Sequence, residues 1–138
     1  MTNAAAPARW IGAGLLYVAL VFAAGFVMGV VRVLVLAPAL GETGAVAAEV
    51  PVMLAISWAA AGFAVRRFAV PPRAAPRLAM GGLAFAVLMA LEAALSLWLF
   101  GRTLAEHLSV YAGLPARIGL AGQVVFALIP ALRARLGR

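Results

Sequence analysis

Residues 10–36 have the sequence WIGAGLLYVALVFAAGFVMGVVRVLVL, in which Arg32 is the one charged residue. A helix needs about 20 predominantly apolar residues to cross the hydrocarbon core of a bilayer, and this run exceeds that length. A cleaved signal peptide is the alternative, since Arg9 precedes the run. The apolar stretch continues to Val31, however, which is too long for the core of a signal peptide. The sequence therefore predicts an uncleaved first membrane span.

Three further apolar segments follow, at residues 45–65, 78–100 and 115–132. Hydrophobic residues make up 67% of the chain and its mean hydropathy is +1.11, whereas soluble domains are about 45–50% apolar. We therefore expect residues 1–138 to form a single integral membrane domain. The predicted fold class is all-α, a bundle of four transmembrane helices.

The basic residues are distributed unevenly along the chain. It carries eleven arginines, no lysine and a net charge of +7. Arginines crowd the connector at 66–77 and the segment at 133–138, whereas one of the other two connectors carries Glu42 and the other carries Arg102 with Glu106. The positive-inside rule then predicts that both termini and the middle connector are cytoplasmic. With arginines at span ends, the expected partner is the lipid bilayer and not nucleic acid. The arginine- and alanine-rich composition suggests a bacterial inner membrane.

The connector between the third and fourth spans contains a short helix signal. Thr103 followed by Glu106 has the spacing of a capping box, in which side chain and backbone satisfy each other at a helix start. Apolar residues then recur at helical spacing: Leu104, Leu108 and Tyr111. We expect a short amphipathic helix on the outer membrane surface.

Four charged residues lie inside the apolar segments, one in each. A rise of 1.5 Å per residue from the inner ends puts Arg32, Glu49, Glu92 and Arg117 at about 33 Å, about 25 Å, about 22 Å and about 24 Å respectively. All four therefore fall in the outer part of the bilayer, and their charges cancel. A charge in hydrocarbon is costly and usually faces a bundle interior, so we predict a buried polar cluster.

Small residues share helix faces with these charges. Gly25, Gly29 and Arg32 lie on one face of the first span, and such glycines let helices approach closely. Glu92 shares its face with Ser96, and Gln123 lies near the middle of the fourth span. We expect Gly25 and Gly29 to pack helices together, and Glu92, Gln123 and Ser96 to line a possible ligand or ion path.

Simpler interpretations exist for each charge except Glu92. Arg32 could extend to the outer head groups, and Arg117 could be an interfacial anchor. Glu49 precedes Pro51, so it could lie half-hydrated in a first helical turn. Even a paired cluster could serve only to hold helices in register. Glu92 has long apolar runs on both sides and must be protonated or paired.

The sequence offers little support for cofactor or catalytic chemistry. There is no cysteine, which excludes disulfides and thiolate metal ligands. His107 is the one histidine, too few for a bis-histidine haem site or a three-histidine zinc site. No phosphate-binding loop or dinucleotide fingerprint is present. We therefore predict no metal, no cofactor and no enzymatic activity.

The segments GFVMGVVRVL (25–34), PALGE (38–42) and EVPVM (49–53) carry a resemblance. They are similar to a group of small four-span bacterial inner-membrane proteins of unknown function, which implies no activity. In size and span count the chain also resembles small multidrug transporters. Their signature glutamate lies in the first span, and this first span has none.

Three functions remain open from the sequence. The leading hypothesis is a non-enzymatic accessory or assembly subunit, within a homo-oligomer or a larger membrane complex. The alternative is a small proton-coupled transporter or channel in which Glu92 titrates. The third is an intramembrane enzyme on a lipid or quinone with Glu92 or Glu49 as general base. A sealed polar cluster favours a structural role, and one that a cavity reaches favours a ligand or an ion.

Overall fold

The computed structural model describes residues 6–137, and every regular element in that range is helical. In chain order the elements are α1 (Ala6–Val31) with a first π-helical turn (Arg32–Leu36), α2 (Ala37–Phe68), α3 (Ala74–Ala94) with a second π-helical turn (Leu95–Leu99), α4 (Leu104–Ser109) with a 3-10 turn (Val110–Ala112), and α5 (Leu114–Arg135). The amino terminus and Arg138, which the sequence assigns to the cytoplasmic side, lie outside the described residues.

Three helical stretches within residues 6–137 are long and apolar enough to cross a membrane: Ala8–Phe68, Ala74–Leu99 and Leu114–Arg135. This confirms an all-α chain with helices of membrane-spanning type. The sequence predicted four separate spans, and the difference lies in the first stretch. There the connector expected between Leu36 and Ala45 is helical, and α2 begins at Ala37 with Pro38 in its first turn, where a missing N–H costs no hydrogen bond.

The long first stretch is broken at Gly41. Its backbone has φ 76° and ψ 168°, a conformation that glycine adopts without the steric cost of a side chain. Beyond this residue α2 packs back against α1, and Arg32 contacts Glu49 directly. Residues 17 apart in one straight helix would be about 25 Å apart. The chain therefore reverses direction at Gly41.

The four long helices α1, α2, α3 and α5 pack side by side. α1 and α5 each contact both α2 and α3, so α1 and α5 face each other across the centre. Tyr17 of α1 bridges this gap: its hydroxyl donates to the Phe126 carbonyl oxygen at 2.6 Å, and the two rings stack at 4.4 Å. Gly81 brings α3 against α5, because a Cβ there would lie 1.8 Å from the Ala127 carbonyl oxygen. Aromatic and small residues thus close the middle of the assembly.

One end of the assembly carries most of the arginines, and we call it the basic end; α2 and α5 finish there and α3 begins. Two of its arginines are buried, which the sequence did not predict. Arg77 donates to the carbonyl oxygens of Pro71 at 3.1 Å, Pro130 at 3.0 Å and Val70 at 3.4 Å. These contacts tie the start of α3 to the preceding connector and to α5.

Arg133, the second buried arginine of the basic end, joins α5 to α2. It donates to the Trp58 carbonyl oxygen at 3.0 Å, and its guanidinium lies over the Trp58 ring, 4.8 Å from the centroid. Gly62 makes room for it, since a Cβ there would lie 2.5 Å from Arg133 Nη2. The two arginines are therefore part of the packed core and not cytoplasmic surface groups.

The opposite end carries all four glutamates, and we call it the glutamate end. The short helix α4 lies there, and its capping box is present as predicted. Thr103 Oγ1 accepts from the Glu106 N–H at 3.1 Å, and Glu106 Oε1 accepts from the Thr103 N–H at 2.8 Å. Leu104 and Leu108 are exposed on α4.

Candidate functional site

The polar residues of the glutamate end form two separate pairs. Arg32 begins the first π-helical turn, and its Nη1 lies 2.6 Å from Glu49 Oε1 of α2. Gln123 Nε2 of α5 donates to Glu92 Oε2 of α3 at 2.6 Å. One pair therefore links α1 to α2 and the other links α3 to α5, so that each of the four long helices contributes one polar side chain.

The alternative interpretations for Arg32 and Glu49 fit the geometry less well. Arg32 is about one-third exposed and bonds a neighbouring helix, as expected of a residue that faces inward. Glu49 is 11% exposed and lies more than two helical turns beyond the break at Gly41, in a helical segment that continues through Pro51. The interpretation that Glu49 occupies a first helical turn is therefore wrong.

Arg117 lies outside this group. It is exposed in the first turn of α5, where its Nε donates to the Tyr111 carbonyl oxygen at 3.0 Å. The rise per residue predicted the same membrane depth for Arg117 as for the other three charged residues. In the structure α5 begins at Leu114, and the side chain of Arg117 is exposed in its first turn. The expectation that Arg117 joins the buried cluster is corrected on this point, and its position fits the alternative of an anchor at the membrane interface.

A cavity of about 570 Å³ lies between the four long helices; we call it the chamber. The residues of both polar pairs, Arg32, Glu49, Glu92 and Gln123, are part of its lining. Most of its remaining wall is apolar, from Val21, Phe22, Phe26, Met53, Leu54, Leu88 and Phe126. Towards the basic end it stops at Ser57, whose hydroxyl donates to the Met53 carbonyl oxygen at 2.7 Å, and at Phe126.

Glycines create much of the space in the chamber. Gly25 and Gly29 were predicted to let helices pack closely, but they face the chamber instead. A Cβ at Gly25 would meet only Met53 Cε at 3.5 Å, and one at Gly29 only Arg32 Nη2 at 3.9 Å. Gly119 and Gly122 of α5 line the other side. The expected role of Gly25 and Gly29 in close helix packing is thus corrected: because they lack side chains, they leave space in the chamber.

A second cavity of about 350 Å³ adjoins the chamber on the side of α4; we call it the vestibule. It shares Arg32, Glu92 and Gln123 with the chamber. Its other polar lining residues are Glu42, Ser96, Arg102, His107 and Tyr111. Both polar pairs therefore contribute to the mainly apolar chamber and to the more polar vestibule.

Ser96 and Tyr111 are the least expected members of the vestibule. Ser96 is 5% exposed in the second π-helical turn, and among residues 6–137 its hydroxyl finds no hydrogen-bond partner. The structure thus brings Glu92, Gln123 and Ser96 to one cavity. Burial raises the pKa of Tyr111 above its ordinary value, and the nearby Glu92 carboxylate acts in the same direction. The sequence pattern had placed Tyr111 on the apolar face of a short amphipathic helix at the membrane surface.

Both π-helical turns lie at the glutamate end, one beside each polar pair. Arg32 opens the first, and the second begins three residues after Glu92 and contains Ser96. A π turn adds a residue to the helical repeat and shifts the direction of side chains, and such turns are frequent at functional sites. Nothing in the sequence marks either turn, since both consist mainly of ordinary apolar residues.

No group of three or more metal-ligating side chains comes together in the part of the chain that the structure describes. Comparisons with protein-family models, with curated proteins and with solved structures give no match. Function must therefore be inferred from the chamber, the vestibule and the two polar pairs between them.

Proposed function

We propose that this chain is an integral membrane protein that crosses the bilayer four times, with both termini on the cytoplasmic side. The reversal at Gly41 divides the first long stretch into two crossings, and α3 and α5 supply the others. The crowding of arginines at the basic end supports a cytoplasmic location for that end. The chamber then lies in the outer half of the membrane, beneath α4.

Sided labelling tests this topology directly, because the chain has no cysteine of its own. Ser109 is exposed on α4 and Ala75 is exposed at the start of α3. In intact cells, an impermeant maleimide should label Ser109→Cys from outside, and should label Ala75→Cys only after permeabilisation. Labelling of both variants from outside would contradict the four-span arrangement.

Within this topology, the function supported best is that of a small proton-coupled transporter with Glu92 as the titrating group. The observation that carries the proposal is the chamber itself. A polar cluster that only held helices in register would be tightly packed, whereas these polar side chains line an open volume of about 570 Å³. Sites for small molecules typically occupy about 300–1,000 Å³ and combine apolar walls with a few polar groups.

The accessory-subunit hypothesis explains less of this geometry. It requires a surface for a partner, but gives no reason for a space between the helices that glycines of two helices line. Enzymatic chemistry would require a second reacting group beside Glu92. The hydrogen-bond partner of Glu92 is instead the amide of Gln123, which is not an acid, a base or a nucleophile. Transport of a molecule with an apolar body and a polar group fits the site better. The apolar walls of the chamber would contact the body, and the polar pairs would contact the polar group.

Uptake into proteoliposomes tests the transport proposal. The protein would be given a pH gradient and three fluorescent amphiphiles, one cationic, one neutral and one anionic. Met53→Trp fills the chamber, and Phe63→Trp is the matched control because Phe63 is exposed on α2 outside the chamber. We expect uptake of at least one dye by the wild type and by Phe63→Trp, with loss in Met53→Trp. No uptake of any dye, or uptake unaffected by Met53→Trp, would refute the proposal.

A further inference from the structure

Of the two carboxylates that line the chamber, Glu49 has a cationic partner and Glu92 has an amide partner. Arg32 is committed to Glu49 at 2.6 Å, and that pair is neutral as a whole. Glu92 has the amide of Gln123 as its hydrogen-bond partner, and among residues 6–137 no arginine or histidine lies within salt-bridge distance of it. An ionised Glu92 therefore gives the chamber lining a net negative charge in surroundings of low dielectric, where a compensating cation is strongly favoured.

The chamber wall suits the body of an organic cation. Phe22 and Phe26 of α1 and Phe126 of α5 line it together with the thioether of Met53. The faces of aromatic rings attract cations, and methionine adapts to ligands of irregular shape. An inorganic cation would gain little from such walls, because it needs several oxygen ligands and Glu92 is the one carboxylate there that is not already in an ion pair.

We infer that the chamber binds a monovalent organic cation with an apolar body, whose charge lies against the Glu92 carboxylate in place of a proton. This inference rests on the proposed transport function and specifies its substrate class. Binding to the protonated site forms the ion pair between the cation and the carboxylate and releases one proton to solvent. Because the proton and the cation compete for one carboxylate, each expels the other, which is the coupling that an exchanger requires.

The groups around Glu92 determine how strictly the site selects for charge. Arg32 acts electrostatically on Glu92 from α1, and Tyr111 is close enough to respond to its charge. The other charged or titratable residues that line the two cavities are Glu49, Glu42, Arg102 and His107. With Glu92 counted, three glutamates and two arginines line the two cavities; Arg32 is held by Glu49, and Arg102 lines only the vestibule. An anion in the chamber would meet Glu92 without a free cation to receive it.

Tetraphenylphosphonium and tetraphenylborate test the inference, because they have nearly the same size and shape and opposite charge. Binding of each ion to the purified full-length protein would be measured by calorimetry between pH 5 and 9. We expect tetraphenylphosphonium to bind at least about tenfold more tightly than tetraphenylborate. Its apparent affinity should rise with pH, since only the deprotonated carboxylate attracts it, with release of up to about one proton per cation at low pH.

Three variants assign the effect to Glu92. Glu92→Gln should weaken tetraphenylphosphonium binding at least about tenfold and abolish proton release, whereas Glu92→Asp keeps the charge and should retain both. Glu106→Gln is the matched control on the surface, since glutamine also completes a capping box. Thermal unfolding of each variant would verify that it is folded.

The outcomes separate this inference from the proposed function. If both ions bind equally and Met53→Trp removes both, the chamber accepts amphiphiles of either charge, so the inference fails and the transport proposal stands. Cation binding that Glu92→Gln leaves unchanged also overturns the inference. If neither ion binds and no dye is transported in the chamber-dependent assay, both proposals fail together.

Discussion

The two ends of the molecule bury arginine in opposite ways. At the basic end, Arg77 and Arg133 are buried in the packed core, where Arg77 donates to backbone carbonyl oxygens and Arg133 donates to the Trp58 carbonyl oxygen and lies over the Trp58 ring. At the glutamate end, Arg32 is paired with Glu49 beside open volume. Polar groups inside a membrane protein are costly in both cases. Under the proposed function, the packed basic end holds the helices together and the glutamate end receives the ligand.

The largest expected effect comes from removing a carbonyl-bound arginine. Arg77→Leu leaves the carbonyl oxygens of Pro71 and Pro130 without their donor in a buried site, and hydrogen bonds to charged groups are among the stronger ones. We expect a loss of about 3 kcal/mol or more in the free energy of unfolding, measured by denaturant titration in detergent micelles. A loss below about 1 kcal/mol would show that the basic end is not a rigid anchor.

A smaller effect is expected from a matched pair of glycine substitutions. Gly62→Ala at the basic end places a Cβ against the Arg133 guanidinium, at 2.5 Å from Nη2, and should destabilise the protein by about 1–3 kcal/mol. Gly29→Ala at the glutamate end meets no atom closer than 3.9 Å and should be neutral or stabilising by up to about 1 kcal/mol, because alanine favours helix. Equal effects on the unfolding midpoint would remove the contrast between the two ends.

The smallest effect on stability is expected at the ion pair of the glutamate end. Glu49→Gln breaks the contact with Arg32, which is partly exposed, so the loss should stay within about 1 kcal/mol. The effect on binding should be larger. Without Glu49, Arg32 becomes available to neutralise Glu92, and tetraphenylphosphonium affinity should fall several-fold. Unchanged affinity in this variant would argue that Arg32 does not influence Glu92.

Much of the fold follows from residue patterns. Apolar length predicts the membrane-type helices, and the spacing of Thr103 and Glu106 predicts the start of α4. These features depend only on residues close together in the chain, so the sequence predicts them. A reversal between residues 36 and 45 was expected, but the connector there is helical: Ala37 and its neighbours continue the helix, and one positive φ angle at Gly41 makes the turn.

The site was predictable only in part, for reasons of packing. Depth counting brought Arg32, Glu49 and Glu92 to one level, and the structure adds that they form two pairs and that Arg117 faces away. Arg77 appeared to be a cytoplasmic anchor because its partners are backbone carbonyls, which carry no sequence signal. The volume of the chamber depends on which faces of four helices meet, and no single segment encodes it.

Access to the chamber is the measurement that tests this account most directly. In the cysteine-free chain, Met53→Cys lies in the chamber wall, whereas Ala61→Cys lies in the fully buried core. A small cationic methanethiosulfonate reagent, added to the purified protein, should modify Met53→Cys and leave Ala61→Cys intact, and tetraphenylphosphonium should slow the reaction. If Met53→Cys is as inert as Ala61→Cys, the glutamate end is closed and packed, and the account is contradicted.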